Sequence, residues 1–448
     1  MKDLTNGNEA SLIVRFAIPM LLGNVFQQLY NTVDSVIVGN VVGKEALAAV
    51  GASFPILFLL ISLVLGVTMG ATILISQYFG AKDYEKLRRT IDTTYVFLFI
   101  GSIVISVLGI LFSGTILRAM NTPADIIGQA QTYLNIIFGG MVMLFGYNAI
   151  SAILRGLGDS KTPLYFIIIA TLLNIVLDLI FVIVFNWGIA GVAWATVISQ
   201  GVSFLFGVLY LNKNHDFLKI RLNSLKFDRD IFVRSLRIGL PTGVQQMLFS
   251  FGMMALQFLV NGFGTDTVAG FIAATRVDSF ATMPIFSFGA AISAFAGQNL
   301  GAGKMDRVSK GHRITIFISV TLALVTAFLI FFFGNSLIRL FNSDAEVIRI
   351  GTEYLKTVSA FYAVVAWMFI TTGVMRGAGD TFVPMIISIL SLWLIRIPLA
   401  AIFSMFFGAN GIWWSIPVAW SSGLLMTLLY YRTGKWKSKV ATGFEPGK

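Results

Sequence analysis

The sequence predicts an all-α membrane protein with twelve transmembrane helices in two parallel, pseudo-symmetric six-helix bundles. Three observations lead to this fold class: an excess of apolar residues, a series of apolar segments long enough to cross a bilayer, and an internal duplication. Of the 448 residues, 56% are hydrophobic and only 12% are charged. Soluble domains are about a quarter charged, so this chain has too few charges for a surface that faces water.

Apolar segments of the length that a transmembrane helix needs recur from one end of the chain to the other. We predict spans at 12–37, 46–75, 90–113, 128–152, 162–185, 188–211, 233–260, 267–296, 313–333, 350–373, 382–405 and 409–431. The predicted domains follow from them: an N-terminal bundle at 1–211, a cytoplasmic linker at 212–232, a C-terminal bundle at 233–431 and a cytoplasmic tail at 432–448.

Lysine and arginine are distributed unevenly between the two sides of this arrangement. With the N-terminus in the cytoplasm, 25 of the 32 basic residues fall on the cytoplasmic side and five on the other, while Arg276 and Arg396 lie within spans. Because cytoplasmic loops carry the excess of positive charge, we predict a multi-pass protein of the cytoplasmic membrane with both termini in the cytoplasm. The net charge of +11 is then an orientation signal, and nucleic acid is not an expected partner.

The two halves of the chain repeat at a spacing of about 221 residues. The segment SQYFGAKDYEKL (76–87) corresponds to GQNLGAGKMDRV (297–308), and LRGLGDSKTP (154–163) corresponds to MRGAGDTFVP (375–384). The residues in register include Gln77 with Gln298 and Gly80 with Gly301. Since each repeat holds an even number of spans, both enter the membrane in the same sense, as in transporters that are built from parallel repeats.

The first span carries a polar stripe along one helix face. The stripe consists of Asn24, Gln27, Asn31 and Asp34, which recur every three or four residues in an otherwise apolar segment. This spacing predicts a helix with one polar face and not a loop. Asp34 is therefore predicted to lie within the membrane and to face the protein interior, with Tyr30 one turn earlier as a hydrogen-bond donor.

The fifth span repeats this arrangement, with Asn174 and Asp178 one turn apart in an apolar helix. Counted from the cytoplasmic end, Asp178 falls at a depth comparable to that of Asp34. Such a pair can hold a cation, or it can share a proton, because burial and mutual repulsion favour protonation of one acid. The alternative is two structural acids that are hydrogen-bonded separately.

The C-terminal half lacks this acid pair but places other polar residues within its spans. Together with one residue of the first span they are candidates for a substrate cavity: Asn31, Gln246, Gln257, Arg276, Asp278 and Arg396. The alternative is that the charged members form structural ion pairs between helices.

Residue types on which other function classes depend are missing. The chain has no cysteine, which excludes disulfides and thiol catalysis. The sequence offers no nucleophile–base pair and no set of metal ligands, so we do not predict an enzyme. No cofactor is expected, and the only metal ion expected is Na⁺ at Asp34 and Asp178.

The chain resembles the MATE (multidrug and toxic compound extrusion) transporters of the MOP flippase superfamily, and most of all their DNA-damage-inducible and archaeal-type branch. The resemblance covers nearly the whole chain. It rests on the twelve spans in two halves, the Q-x-x-G-A segments after spans two and eight, the R-G-x-G-D turns and the acid in NTVDSVIVG of the first span.

This resemblance implies secondary active antiport, in which amphipathic, often cationic compounds leave the cell in exchange for H⁺ or Na⁺. Carried over by motif, the cation or proton site comprises Asp34, Asp178, Asn174, Tyr30, Gln27, Asn148 and Thr196. The expected partners are small-molecule substrates and the lipid bilayer, and the protein is expected to be monomeric. The alternative is a flippase or exporter of lipid-linked saccharides or other amphipathic anions in the same superfamily, which Arg276 and Arg396 favour.

Overall fold

The structure, a computed structural model, describes residues 2–214, 219 and 225–441, and every regular element within these ranges is a helix. Ten helices are long and apolar enough to cross a membrane. Two further pairs of shorter helices, bent by 51° and 50° at short breaks, bring the number to twelve if each pair is one span. The prediction of an all-α membrane fold with twelve spans is therefore confirmed.

The N-terminal half contains seven helices. They are α1 (Glu9–Ile37), α2 (Lys44–Gly80), α3 (Tyr84–Ala119), α4 (Ala124–Gly139), α5 (Met141–Gly156), α6 (Lys161–Leu179) and α7 (Gly188–Asn214). Helices α4 and α5 are the first of the two bent pairs, with an angle of 51° between them. Helix α1 continues into a π-helical segment at Val38–Val42, and α6 continues into another at Ile180–Val184.

In the described residues from 225 to 441, the C-terminal half contains eight α-helices and a short 3₁₀-helix at Lys435–Lys439. The α-helices are α8 (Arg229–Asn261), α9 (Thr265–Gly301), α10 (Met305–Arg339), α11 (Ala345–Ser359), α12 (Tyr362–Gly377), α13 (Phe382–Ile389), α14 (Ile397–Phe407) and α15 (Ala409–Arg432). Helices α11 and α12 are the second bent pair, with an angle of 50° between them. A π-helical segment, Leu390–Arg396, joins α13 to α14 and makes them one span.

The chain divides into two compact units. Unit 1 consists mainly of Pro19–Ile75 and Asp83–Leu240, and unit 2 consists of Asp3–Ile18, Ser76–Lys82 and Pro241–Lys448. The change of unit within α1 and within α8 falls at a proline in each case, Pro19 and Pro241. The domain boundaries that we drew from the sequence stay a prediction, and the linker 212–232 and the tail 432–448 lie partly outside the described residues.

Unit 2 contains a close backbone contact between the two repeated Q-x-x-G-A segments. A Cβ atom on Gly80 would lie 1.9 Å from the carbonyl oxygen of Gln298, and one on Gly301 would lie 1.9 Å from the carbonyl oxygen of Gln77. Only glycine allows this approach, so both glycines are required for packing. The contact is reciprocal, because the residues that it joins are those that match in the duplication.

The amide groups of Gln77 and Gln298 anchor the two ends of the described chain within unit 2. Gln77 is fully buried; its Nε2 donates to the carbonyl of Gly377 at 2.7 Å and its Oε1 accepts the N–H of Ala441 at 2.7 Å. The Oε1 of Gln298 accepts the N–H of Leu4 at 2.9 Å. Both segments are thus held by buried hydrogen bonds.

Charged groups hold the segment before α1 against α10 in unit 2. Arg307 Nη1 lies 3.0 Å from Glu9 Oε1, and its Nη2 donates to the carbonyl of Gly7 at 2.9 Å. Partial burial raises the pKa of Asp3, but hydrogen bonds from Thr5 and Asn6 and the charge of Lys304 outweigh burial and leave that pKa below its usual range. Asp3 therefore stays ionised and stabilises the turn that leads into α1.

Candidate functional site

Two acids from different helices meet in unit 1. Asp34 on α1 and Asp178 on α6 lie close enough for their carboxyl groups to interact directly. Asp178 is fully buried, and only 9% of Asp34 is exposed. Two ionised carboxylates at this separation repel each other, whereas a single proton shared between them converts the contact into a hydrogen bond.

The surroundings of these acids leave polar atoms without partners. Within the residues that the structure describes, Asp34 Oδ1, both carboxylate oxygens of Asp178 and both amide atoms of Asn174 make no hydrogen bond. Buried polar groups almost always have partners, and each missing partner costs about 1–3 kcal/mol. We call Asp34, Asp178 and Asn174 the acid site.

Four of the five unpartnered atoms of the acid site are oxygen acceptors, counted over the described residues. Oxygens without donors are completed by a proton or by a hard cation. No group of three or more His, Cys, Asp or Glu side chains that could hold a metal ion is found in the described part of the chain. Two carboxyls and one amide therefore match a proton or a monovalent cation better than a multivalent metal.

Both acids lie next to a break in regular α-helix. Asp34 comes shortly before the π-helical segment Val38–Val42, and Asp178 comes shortly before Ile180–Val184. These two segments also contact each other. Such segments are rare and are frequently found at functional sites, where they shift the hydrogen-bond register of the backbone.

The predicted donor Tyr30 has a different partner. Its hydroxyl donates to Thr196 Oγ1 at 3.0 Å, which brings together two residues of the predicted site. Ser199 on α7 is buried beside Tyr30, and Tyr133 on α4 is close enough to both acids to interact electrostatically. The sequence does not single out Ser199 or Tyr133, because each stands among other polar residues of its helix.

Two other residues of the predicted ion site make hydrogen bonds within their own helices. Gln27 Nε2 lies 3.4 Å from Asn31 Oδ1, a long contact along the stripe of α1. Asn148 Nδ2 donates to the carbonyl of Leu144 at 2.8 Å, one turn earlier in α5. Their roles in ion binding stay predictions.

A second charged cluster lies in unit 2. The hydroxyl of Tyr362 on α12 donates to Asp278 Oδ1 on α9 at 2.6 Å. Arg396, at the end of the π-helical segment Leu390–Arg396, is buried and interacts electrostatically with Asp278 and Tyr354. We call Arg396, Asp278 and Tyr362 the arginine site. Tyr362 has no signal in the sequence, because only the tertiary fold brings α12 against α9.

The remaining candidates for the substrate cavity are dispersed. Arg276, two residues before Asp278, is exposed, as is Gln246. Gln257 Nε2 donates to Asn261 Oδ1 at 2.8 Å along α8. The structure therefore brings two of the charged candidates together and leaves these others on separate surfaces of their helices.

Comparison with known proteins connects this architecture to a family. A sequence profile named MatE matches residues 19–180 and again residues 241–402, once in each half of the duplicated chain. The chain belongs to the MatE family. Members of this family are transporters and not enzymes, as the sequence predicts.

Similar proteins cover this MatE chain almost from end to end. It is 38% identical over 437 residues to the probable multidrug resistance protein YpnP of Bacillus subtilis, which covers 97% of the chain and 98% of YpnP. It is 28% identical to the probable multidrug resistance protein NorM of Thermotoga maritima, over 96% of the chain and 93% of NorM.

The fold of this MatE chain also matches a solved structure that is described as the outward-facing conformation of a multidrug resistance MATE family transporter of the MOP superfamily. The TM-score is 0.90 at 26% sequence identity, over 97% of this chain and 98% of the other. The fold class and the family resemblance drawn from the sequence are confirmed.

Proposed function

We propose that this chain is a secondary active exporter of amphipathic small molecules that is driven by H⁺ or Na⁺ moving through the acid site. One observation carries the proposal: in the described part of unit 1, two buried carboxyls and a buried amide lie together with five polar atoms left unpartnered. A purely structural pair of acids would be hydrogen-bonded, because leaving such groups unsatisfied lowers stability. The names of the relatives as multidrug resistance proteins support export of drug-like compounds.

The ion cycle follows from electrostatics. With no ion bound, the charges of Asp34 and Asp178 repel each other and favour separation of α1 from α6. A proton between the carboxyls, or Na⁺ held by their oxygens and by Asn174 Oδ1, removes this repulsion and favours close packing. The adjoining π-helical segments are where the two helices adjust, so loading changes the packing of the N-terminal half and releases substrate.

Other predicted residues complete this proposal. Tyr30, Thr196, Gln27 and Asn148 support the acid site, and Asn31, Gln246, Gln257 and Arg276 contribute to substrate contact. The chain acts as a monomer in the cytoplasmic membrane with both termini in the cytoplasm. It needs no cofactor, because the ion gradient supplies the free energy of transport.

The test is efflux of a fluorescent amphipathic cation from proteoliposomes, with a Na⁺ gradient imposed while the pH gradient is collapsed, and then the reverse. The gradient that drives efflux identifies the ion. We expect Asp34→Asn and Asp178→Asn to reduce driven efflux to the passive leak, whereas Asp125→Asn, at an exposed acid on α4, retains it. Driven efflux at the wild-type rate in Asp34→Asn would contradict the proposal.

The second candidate function, a flippase or exporter of lipid-linked saccharides or other amphipathic anions, is favoured by the buried guanidinium of Arg396. A cation held within a span attracts an anionic head group. A deletion strain that accumulates a lipid-linked precursor, with unchanged drug sensitivity, would favour this candidate over drug export.

A further inference from the structure

Arg396 carries a buried charge that the proposed ion cycle does not use. Only 6% of the residue is exposed, and within the described residues its Nε has no hydrogen-bond partner. Burying a guanidinium is unfavourable unless a carboxylate or phosphate, or several acceptors, replaces the lost water. The π-helical segment that ends at Arg396 is a second sign of a functional position, independent of its charge.

Asp278 does not neutralise Arg396 by direct contact. The short hydrogen bond from Tyr362, at 2.6 Å, holds the carboxylate of Asp278, and across the described ranges no ion pair within 4.0 Å joins it to the guanidinium. The two groups interact electrostatically at longer range. The guanidinium therefore keeps binding capacity for a further anion, and Asp278 opposes that anion by charge.

An aromatic cluster adjoins Tyr354, which lies within electrostatic reach of Arg396. Trp413, fully buried, stacks on Phe271 at 5.4 Å and meets the ring of Tyr354 edge-on at 5.1 Å. Its Nε1 is also without a hydrogen-bond partner among the residues described. Unpartnered N–H donors beside flat apolar rings suit a ligand with an anionic group on an aromatic body. In unit 1, by contrast, the unpartnered atoms of the acid site are mostly acceptors.

We propose that the arginine site binds the carboxylate of an amphipathic substrate. The guanidinium of Arg396 donates hydrogen bonds to the carboxylate, the apolar body of the substrate lies towards the aromatic residues, and Asp278 lowers the affinity by competing for Arg396. This inference rests on the proposed transport function, because only a transporter carries the bound carboxylate as its substrate. The binding itself does not depend on an ion at the acid site.

The experiment measures binding of matched probes to the full-length protein in detergent by isothermal titration calorimetry. The probes are 1-naphthylacetate and its uncharged amide, which share their shape and differ in charge. We expect wild-type protein to bind the carboxylate about tenfold or more tightly than the amide, as a charge-assisted pair of hydrogen bonds does. Arg396→Gln is expected to remove this preference.

Two variants separate the arginine site from general effects. Asp278→Asn keeps an acceptor for Tyr362 but removes a negative charge, so we expect several-fold tighter carboxylate binding, a gain that misfolding cannot produce. Arg376→Gln, at the arginine of α12 that donates to Gln245 Oε1 at 3.2 Å, is expected to keep the wild-type preference.

Equal affinity of the wild type for both probes, or a preference that survives Arg396→Gln or is lost in Arg376→Gln, would overturn the proposal. So would tenfold tighter binding of 1-naphthyl phosphate, because it would assign the site to a phosphate group. Asp34→Asn is measured in parallel and is expected to keep the preference. Failure of the acid-site proposal appears only in gradient-driven efflux, so the two proposals can fail separately.

Discussion

The hydroxyl of Tyr30 is bonded to Thr196 Oγ1 at 3.0 Å, although Asp34 lies only one turn further along the same helix. This bond connects α1 to α7 and uses the one hydroxyl proton that Tyr30 can donate. Tyr30 therefore donates no hydrogen bond to Asp34, and the carboxyl of Asp34 can interact with Asp178 and, in the proposed function, with the bound ion. The hydroxyl fixes the helix that carries the acid, while the carboxyl itself stays available.

The bond between Tyr30 and Thr196 can be measured by a double-mutant cycle. Tyr30→Phe and Thr196→Val are each expected to lower the free energy of unfolding by about 1 kcal/mol, because each removes one partner of a buried hydrogen bond. The double variant should lose little more than either single one, since both remove the same interaction. Thermal unfolding in detergent is the measurement, and fully additive losses would show that the two residues do not interact.

We expect the buried amide of Asn174 to lower the free energy of unfolding while it serves as a ligand in the acid site. Replacing it in Asn174→Leu removes two polar atoms that have no partner in the described structure, so stability should rise by about 1–3 kcal/mol. Gradient-driven efflux should fall, because the acid site loses a ligand. The control is Thr171→Val on the same helix, whose hydroxyl donates to the carbonyl of Ile167 at 2.8 Å and which should bring no such gain. A less stable Asn174→Leu protein would contradict the expectation.

The close contact in unit 2 predicts that one added methyl group destabilises the protein at Gly80 or Gly301 but not at an uncrowded glycine. Gly80→Ala and Gly301→Ala each place a Cβ 1.9 Å from a backbone oxygen, so we expect losses of roughly 3 kcal/mol or more, seen as poor expression or early unfolding. Gly101→Ala, in α3, meets nothing within 4 Å and should instead stabilise by roughly 0.5–1 kcal/mol. Similar unfolding temperatures for all three variants would rule out the close contact.

The sequence predicts the spans well, and it draws attention to the acids, because both stand out by local contrast in polarity. A carboxyl such as Asp178 is conspicuous in an apolar helix, and the matched depth of Asp34 follows from counting residues along two spans. The structure places these two side chains close together, and their role in ion binding stays a prediction. The lack of hydrogen-bond donors around the two acids cannot be predicted from the sequence, because the side chains that surround them belong to helices distant in the chain.

The π-helical segments and the partner of Asp278 lie beyond sequence reasoning for a physical reason. A π-helical segment changes the backbone hydrogen-bond register over a few residues without changing the apolar pattern, so Leu390–Arg396 resembles any other stretch of a span. The bond from Tyr362 to Asp278 joins residues 84 positions apart. Only the packing of α12 against α9 creates it, and no periodicity along either helix records that packing.

The reciprocal contact of Gly80 with Gln298 and of Gly301 with Gln77 has the form of an isologous dimer interface, in which residue i of one copy meets residue j of the other and the reverse. Two separate six-helix units of this kind would meet each other in the same reciprocal way. Away from the contact the two copies differ, since the acid site lies in the N-terminal half and Arg396 lies in the C-terminal half.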